Sequence, residues 1–280
     1  MMRLGGPVFV DTQDPVELAK AHRKLGYGAA YCPSIDIEDE DRIRAIREAY
    51  AKENVIIAEV GAWCNMMDPD ETKRRENLER VCKHMALADE VGACCCVNIA
   101  GSFNPDSWYG PHPKNLSQDA FDLAVENVRH VVDSVKPKRS AFSIETMPWA
   151  VPDCAESYLK LIRAVDRPAF KVHLDPINLV NCPERYYSTG DLLDECFDKL
   201  GPWIVSCHAK DIHMGDELTM YIKEVCIGAG VFDFRRYLTR LSQQETDIPL
   251  MIEHMHGEEE YTVARQHVQK VAGELGLTFN

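Results

Sequence analysis

The sequence predicts a single (β/α)₈ barrel over residues 1–280, and three observations carry that prediction. Short apolar runs alternate with longer amphipathic ones from end to end, eight of each, at ~35 residues per unit. The stretch Phe9-Val10-Asp11-Thr12-Gln13 lacks the glycine fingerprint that an open nucleotide-binding sheet carries after its first strand, and no GxxxxGK[ST] occurs. The length of 280 residues suits one closed barrel, for which ~250 is typical, and no composition shift or linker marks a second domain.

The strand candidates are residues 7–11, 29–33, 55–61, 93–100, 141–146, 170–175, 204–210 and 249–254. They are rich in Val, Ile, Cys and Phe, and several are apolar on both faces, as parallel strands covered by helices are. Helix starts are marked at Asp14-Pro15-Val16-Glu17 and Asp68-Pro69-Asp70-Glu71, each with Asp as N-cap, Pro in the first turn and Glu at the third helical position. Leu78, Val81, Cys82, Met85 and Ala88 keep a 3.6-residue stripe through the third helix, and Phe121, Val125, Val128, Val132 and Val135 do so in the fourth. Gly26, Gly92 and Gly201 follow helical stretches at C-cap positions.

Composition narrows the partners. A formal charge of −14 and a pI of about 5.2 repel phosphate backbones and acidic membranes. The basic clusters Lys73-Arg74-Arg75 and residues 136–139 flank helices and read as solvated faces, so nucleic acid is not an expected partner. Residues 1–6 lack the apolar core of a signal peptide, and no run approaches the ~18 apolar residues of a membrane span. The 11 cysteines form no CxxC pair, and Cys94-Cys95-Cys96 stand in a row where neighbours point to opposite faces. Reduced, buried thiols in a cytoplasmic protein are the expectation.

Active sites of such barrels form at the C-terminal ends of the strands. Strand five ends Ile144-Glu145-Thr146, strand six Leu174-Asp175-Pro176, strand seven Cys207-His208-Ala209 and strand eight Ile252-Glu253-His254. Four consecutive strands thus present Glu, Asp, His and Glu at one rim. Such a group repels itself unless a cation neutralises it. An oxygen-rich set with one imidazole suits a near-octahedral ion. Mn²⁺ is the expected cofactor, with Co²⁺, Mg²⁺ or Zn²⁺ as alternatives.

The order Glu145, Asp175, His208, Glu253 on strands five to eight resembles the xylose-isomerase-like sugar isomerases and epimerases. Cys207-His208-Ala209-Lys210-Asp211 resembles their seventh-strand motif, and residues 227–234 resemble the glycine turn leading into their seventh helix. The resemblance implies that the four residues bind a divalent metal and that Glu145 and Glu253 are the catalytic pair. One glutamate would abstract a proton beside a carbonyl, the metal would stabilise the enediolate, and the other would return a proton. The implied partner is a small sugar or keto-sugar. Two positions depart from the ketose 3-epimerases, which carry a His where Asn178 stands and a second substrate-binding Glu where residues 149–152 offer none. The alternative is therefore a lyase, a dehydratase or a 3-keto-glycoside-cleaving enzyme, that expels a β-leaving group from the same enolate. A DNA-repair endonuclease of this superfamily would need more metal-binding histidines and a basic groove.

Substrate contacts are expected from His173, Asn178, Lys210, Trp108, His112, Arg185 and His256. His173 shares a strand face with Asp175, and Lys210 with His208. Asp211 reads as a partner of the site or of Lys210, and His254 as a structural residue on the opposite face. The long loop 102–117 with Trp108, Tyr109 and His112, together with Trp63, suits a lid over a sugar ring. The same aromatics would serve equally as contacts between copies of a homo-oligomer.

Overall fold

The first strand lies earlier in the chain than its apolar run implies. In the computed structural model, which describes residues 2–280, β1 is Met2–Gly5, while residues 7–11 form no strand and leave Phe9 and Val10 exposed. Met2 and Leu4 are buried, and Leu4 pairs with Leu250 across the parallel ladder. Arg3 between them masks the pattern. Its guanidinium is satisfied by Asp247 Oδ2 at 3.1 Å and the Asn54 carbonyl at 2.8 Å, so two buried side chains suffice for this strand.

The remaining strands fall where the apolar runs are, in chain order β2 Ala29–Tyr31, β3 Ile56–Gly61, β4 Cys95–Asn98, β5 Ala141–Glu145, β6 Phe170–Leu174 and β7 Ile204–Ala209. A two-stranded antiparallel hairpin follows, β8 Asp211–Met214 and β9 Ile222–Val225, and β10 Ile248–Ile252 completes the set. The closed parallel barrel runs β1-β10-β7-β6-β5-β4-β3-β2. The hairpin is an addition to the repeat, placed after β7 at the active-site end.

Around the barrel lie α1 Pro15–Lys24, α2 Glu40–Lys52, α3 Glu71–Val91, α4 Gln118–Val135, α5 Ala155–Val165, the short α6 Pro183–Tyr187, α7 Thr189–Leu200, α8 Phe234–Ser242 and α9 Gly257–Glu274. Asp14 caps α1 as expected. The cap of α3 is Asp70, whose carboxylate accepts from Thr72 and Lys73 N–H, while the Asp68 carboxylate, two residues upstream, accepts from the Asp70 N–H. Val81, Met85 and Ala88 of α3 and Val125, Val128 and Val132 of α4 are buried against the strands. Each buried aliphatic of Val or Leu size contributes ~1.5–3 kcal/mol, which is what holds this layer.

Alternation along the strands divides the molecule. Phe142, Ile144, Cys207, Ala209, Leu250 and Ile252 face the helices in one continuous core. Their neighbours Ser143, Glu145, Ser206, His208 and Met251 face the barrel interior. All 11 cysteines are free, and burial pushes the Cys95 and Cys96 thiols well above their usual range, so they pack as inert apolar groups. Among the described residues no helix is long and apolar enough to cross a membrane.

Candidate metal centre and substrate cleft

Glu145 is the last residue of β5, Asp175 follows β6, His208 lies in β7 and Glu253 follows β10. Because these strands are neighbours in the barrel, the four side chains converge. One ligand atom from each lies within 4.8 Å of all the others. His208 Nδ1 stands 2.9 Å from Glu145 Oε1, 2.9 Å from Glu253 Oε2 and 3.6 Å from Asp175 Oδ2. Lys210, two residues along β7's face, brings its ammonium to 2.7 Å from Asp175 Oδ2 and 2.9 Å from Glu253 Oε2.

The charges explain what the cluster needs. Burial alone would raise the Asp175 and Glu253 carboxyls, but His208 and Lys210 overcome it and hold both well below the carboxylate range. Burial pushes Glu145 up to about 7 despite the same neighbours. Burial likewise works against charge on His208, and the surrounding carboxylates outweigh it, keeping the ring positive in this arrangement. Although Lys210 is close, Asp175 Oδ2 and Glu253 Oε2 are buried and accept no aligned hydrogen bond. Two buried carboxylate oxygens with ion-pair neighbours but no aligned donor, beside a third carboxylate and an imidazole, fit a divalent cation, which satisfies the lone pairs.

One residue of this centre went unread in the sequence. Glu59 of β3 is buried beneath the cluster, with Oε1 3.3 Å from His208 Nε2 and Oε2 3.3 Å from Ser206 Oγ. The opposing burial and imidazole effects leave its carboxyl below the usual range. A carboxylate on Nε2 fixes the ring and turns Nδ1 toward the other three carboxylates. The only signal was a lone acid inside the apolar run 55–61. His173, expected to touch substrate, also lies beneath the centre. It is fully buried, its ring packs edge-on to His208 at 4.1 Å, and Nδ1 is 3.5 Å from Glu59 Oε2. Burial lowers it to about 4, so it is neutral.

Above the cluster opens a cleft of about 460 Å³, reached by Glu145, Lys210, Glu253 and Asn178 and walled by Trp63, Trp108, Tyr109 and Trp149. The aromatic loop is rigidly built. Asn115 and Ser102 both bond the Gly110 carbonyl, and Asn65 exchanges hydrogen bonds with the Ser102 backbone. These buried amides, invisible as a motif, fix Trp108 and Tyr109 at the mouth. Three expected contacts do not reach this cleft. The His112 ring caps the turn of Lys114 and leans on Phe103, Arg185 donates to the Leu179 carbonyl, and His256 sits exposed beside Glu260. Each is drawn to a backbone partner or neighbour in its own loop.

Two flanking residues also differ from expectation. His254 turns to the cleft through a left-handed φ of 60° and meets Glu224 Oε2 of β9 at 2.8 Å. Among the described residues Asp211 pairs with no lysine. Its carboxylate accepts from the N–H groups of Ile212, Gly228, Gly230 and Phe232, locking the glycine turn beside the hairpin. A Cβ at Gly230 would stand 2.2 Å from Asp211 Oδ1, so only glycine fits there.

Fold and site together define a (β/α)₈ barrel with a candidate metal centre at the C-terminal ends of its strands. The family of xylose isomerase-like TIM barrels matches residues 19–271, and the chain belongs to it. A 3-dehydroshikimate dehydratase from Bacillus anthracis is 28% identical over 107 residues, 38% of this chain. That match spans only 36% of the relative's own length. The structure of the probable 3-DHS dehydratase involved in petrobactin synthesis, from Bacillus anthracis, superposes with a TM-score of 0.72 at 16% identity, covering 97% of this chain and 99% of that one. The 3-keto-D-glucoside 4-epimerase of E. coli does so at 0.68 and 13% identity, with 98% and 100% covered. At these identities the likeness is one of fold.

Proposed function

We propose that this chain is a divalent-metal-dependent isomerase or epimerase of a small sugar, acting by proton transfer beside a carbonyl. The observation that carries the reading is the convergence of Glu145 and Glu253 on one cleft, each 2.9 Å from the same His208 nitrogen. Glu145, Asp175, His208 and Glu253 would hold the cation, Mn²⁺ in the first instance, and the cation supplies stabilisation of negative charge on neighbouring substrate oxygens. The glutamates approach from different strands, so one removes a proton from carbon and the other returns one. Return to the opposite face of the same carbon epimerises, and return to the neighbouring carbon isomerises. Lys210 donates to a substrate oxygen, Asn178 presents its amide at the cleft wall, and the aromatic walls stack on the C–H face of the ring and exclude water.

The dehydratase match favours a second reading, a lyase on the same framework. Lys210, 2.9 Å from Glu253, would then protonate a leaving oxygen at the β-carbon. Incubation of the Mn²⁺-loaded protein with ketoses and 3-keto-glycosides in D₂O separates the two. Deuterium in an intact sugar supports the first reading, and release of water or an aglycone supports the second. Glu145→Gln lowers either rate by at least ~10²-fold. A variant exchanging at the wild-type rate would remove Glu145 from the chemistry.

A further inference from the structure

A second cleft of about 480 Å³ adjoins the first, and Pro148, Trp149, Asn178 and Glu224 line both. Trp149 stands between them. Its indole N–H donates to the Tyr109 carbonyl at 2.7 Å, so the partition is fixed. The inner cleft alone lies within the ~300–1,000 Å³ that houses a drug-sized ligand, already more than one sugar ring fills. The outer cleft is therefore additional space beside the site, bounded by the same four residues.

Its lining has a definite chemistry. The hairpin of β8 and β9 holds Met220 and Tyr221 at the rim with 45% and 58% of their surfaces in water. Ile177 and Ile212 form an apolar base. Among the described residues, the Asn181 side-chain amide and the Lys223 ammonium in the wall make no hydrogen bond or ion pair within the chain. Aromatic faces beside unpaired amide and ammonium donors suit a hydroxyl-rich ring, whose C–H face stacks while its hydroxyls accept. A phosphate suits it less, because Lys223 is the single cation of this lining and the Glu224 carboxylate stands next to it.

We infer that the substrate is a two-ring carbohydrate, with the reacting sugar in the inner cleft and a second sugar ring in the outer one. This rests on the sugar reading of the centre and adds to it the size and class of the ligand. The test is calorimetric titration of Mn²⁺-loaded protein with fructose, with the fructose disaccharides lactulose, turanose and isomaltulose, and with fructose 6-phosphate. At least one disaccharide binds about tenfold more tightly than fructose, or ~1.4 kcal/mol. Tyr221→Ala and Asn181→Ala each remove most of that gain and leave fructose binding unchanged. Fructose binding as tightly as every disaccharide overturns the outer subsite and leaves the sugar reading standing. So does a preference for fructose 6-phosphate that Lys223→Ala abolishes. If no member of the panel binds, the sugar reading fails and the subsite with it.

Discussion

The strands β5, β6, β7 and β10 carry Glu145, Asp175, His208 and Glu253 at or just past their ends, whereas β1, β2, β3 and β4 end in Gly5, Tyr31, Gly61 and Asn98. Both halves follow the same strand-helix repeat and pack on the same continuous core. They differ in what they raise to the mouth. The half formed by β5, β6, β7 and β10 gathers carboxylates, an imidazole and an ammonium. The half formed by β1, β2, β3 and β4 contributes most of the apolar wall, with Trp63 and Ile99 just beyond β3 and β4, and Trp149 beyond β5 completes it. Under the proposed function, a mouth carrying charged groups on one side and apolar groups on the other would orient a sugar by its hydroxylated edge and its C–H face. The comparison also exposes its one exception, Glu59, which reaches from the neutral half to support a residue of the charged one.

Substitutions in the two halves should separate stability from metal binding. Leu4→Ala, in the fully buried ladder of β1, costs ~2–5 kcal/mol by denaturant unfolding and leaves the metal dissociation constant unchanged. A Leu4→Ala protein that stays folded but loses the metal would break the division. In the charged half, Mn²⁺ at about 100 times its dissociation constant adds ~2.7 kcal/mol and raises Tm by about 5 °C or more. The Asp175→Ala/His208→Ala variant loses that shift in differential scanning fluorimetry. An undiminished shift would move the metal elsewhere.

Glu59→Gln tests the bridge between the halves. It keeps the shape and weakens the acceptor at His208 Nε2, so metal affinity falls ~10–100-fold in a competition assay while the fold persists. Unchanged affinity would leave Glu59 a packing residue only. The smallest effect lies far from the mouth, at Asp89, whose carboxylate accepts from the N–H groups of Lys138, Arg139 and Ser140 and fixes the approach to β5. Partial burial works to raise this carboxyl, and the three donors outweigh it, holding it below its ordinary 3.8. The contribution is therefore present at neutral pH and is lost as pH falls below that value. Asp89→Asn costs below ~1 kcal/mol at pH 7, and the difference from wild type shrinks as acidification protonates the carboxyl. A difference that grows on acidification would reverse the sign.

The legibility of these parts follows from how local their causes are. The apolar runs of β5, β6, β7 and β10 and the stripes of α3 and α4 repeat at a period set by backbone geometry, so they show in one dimension. The four rim residues were legible for a related reason, since each ends a readable strand. β1 was not, because Arg3 interrupts its pattern and finds its partners in Asn54 and Asp247, far along the chain. The hairpin was not, because Asp211 starts it by binding N–H groups of residues 228–232.

By itself the sequence determined the barrel and the residue types at its charged rim, because both depend on spacing along single strands. Tertiary structure alone decided which neighbours complete the site. It placed Glu59 under His208, sent His112, Arg185 and His256 to partners outside the cleft, turned His254 inward and set Trp149 between two clefts. For Glu59 and Trp149 the partner is distant in sequence and is brought close by closure of the barrel, whereas for His112, Arg185 and His256 it lies two to six residues away and the fold decides only the direction of the side chain. No local periodicity encodes them.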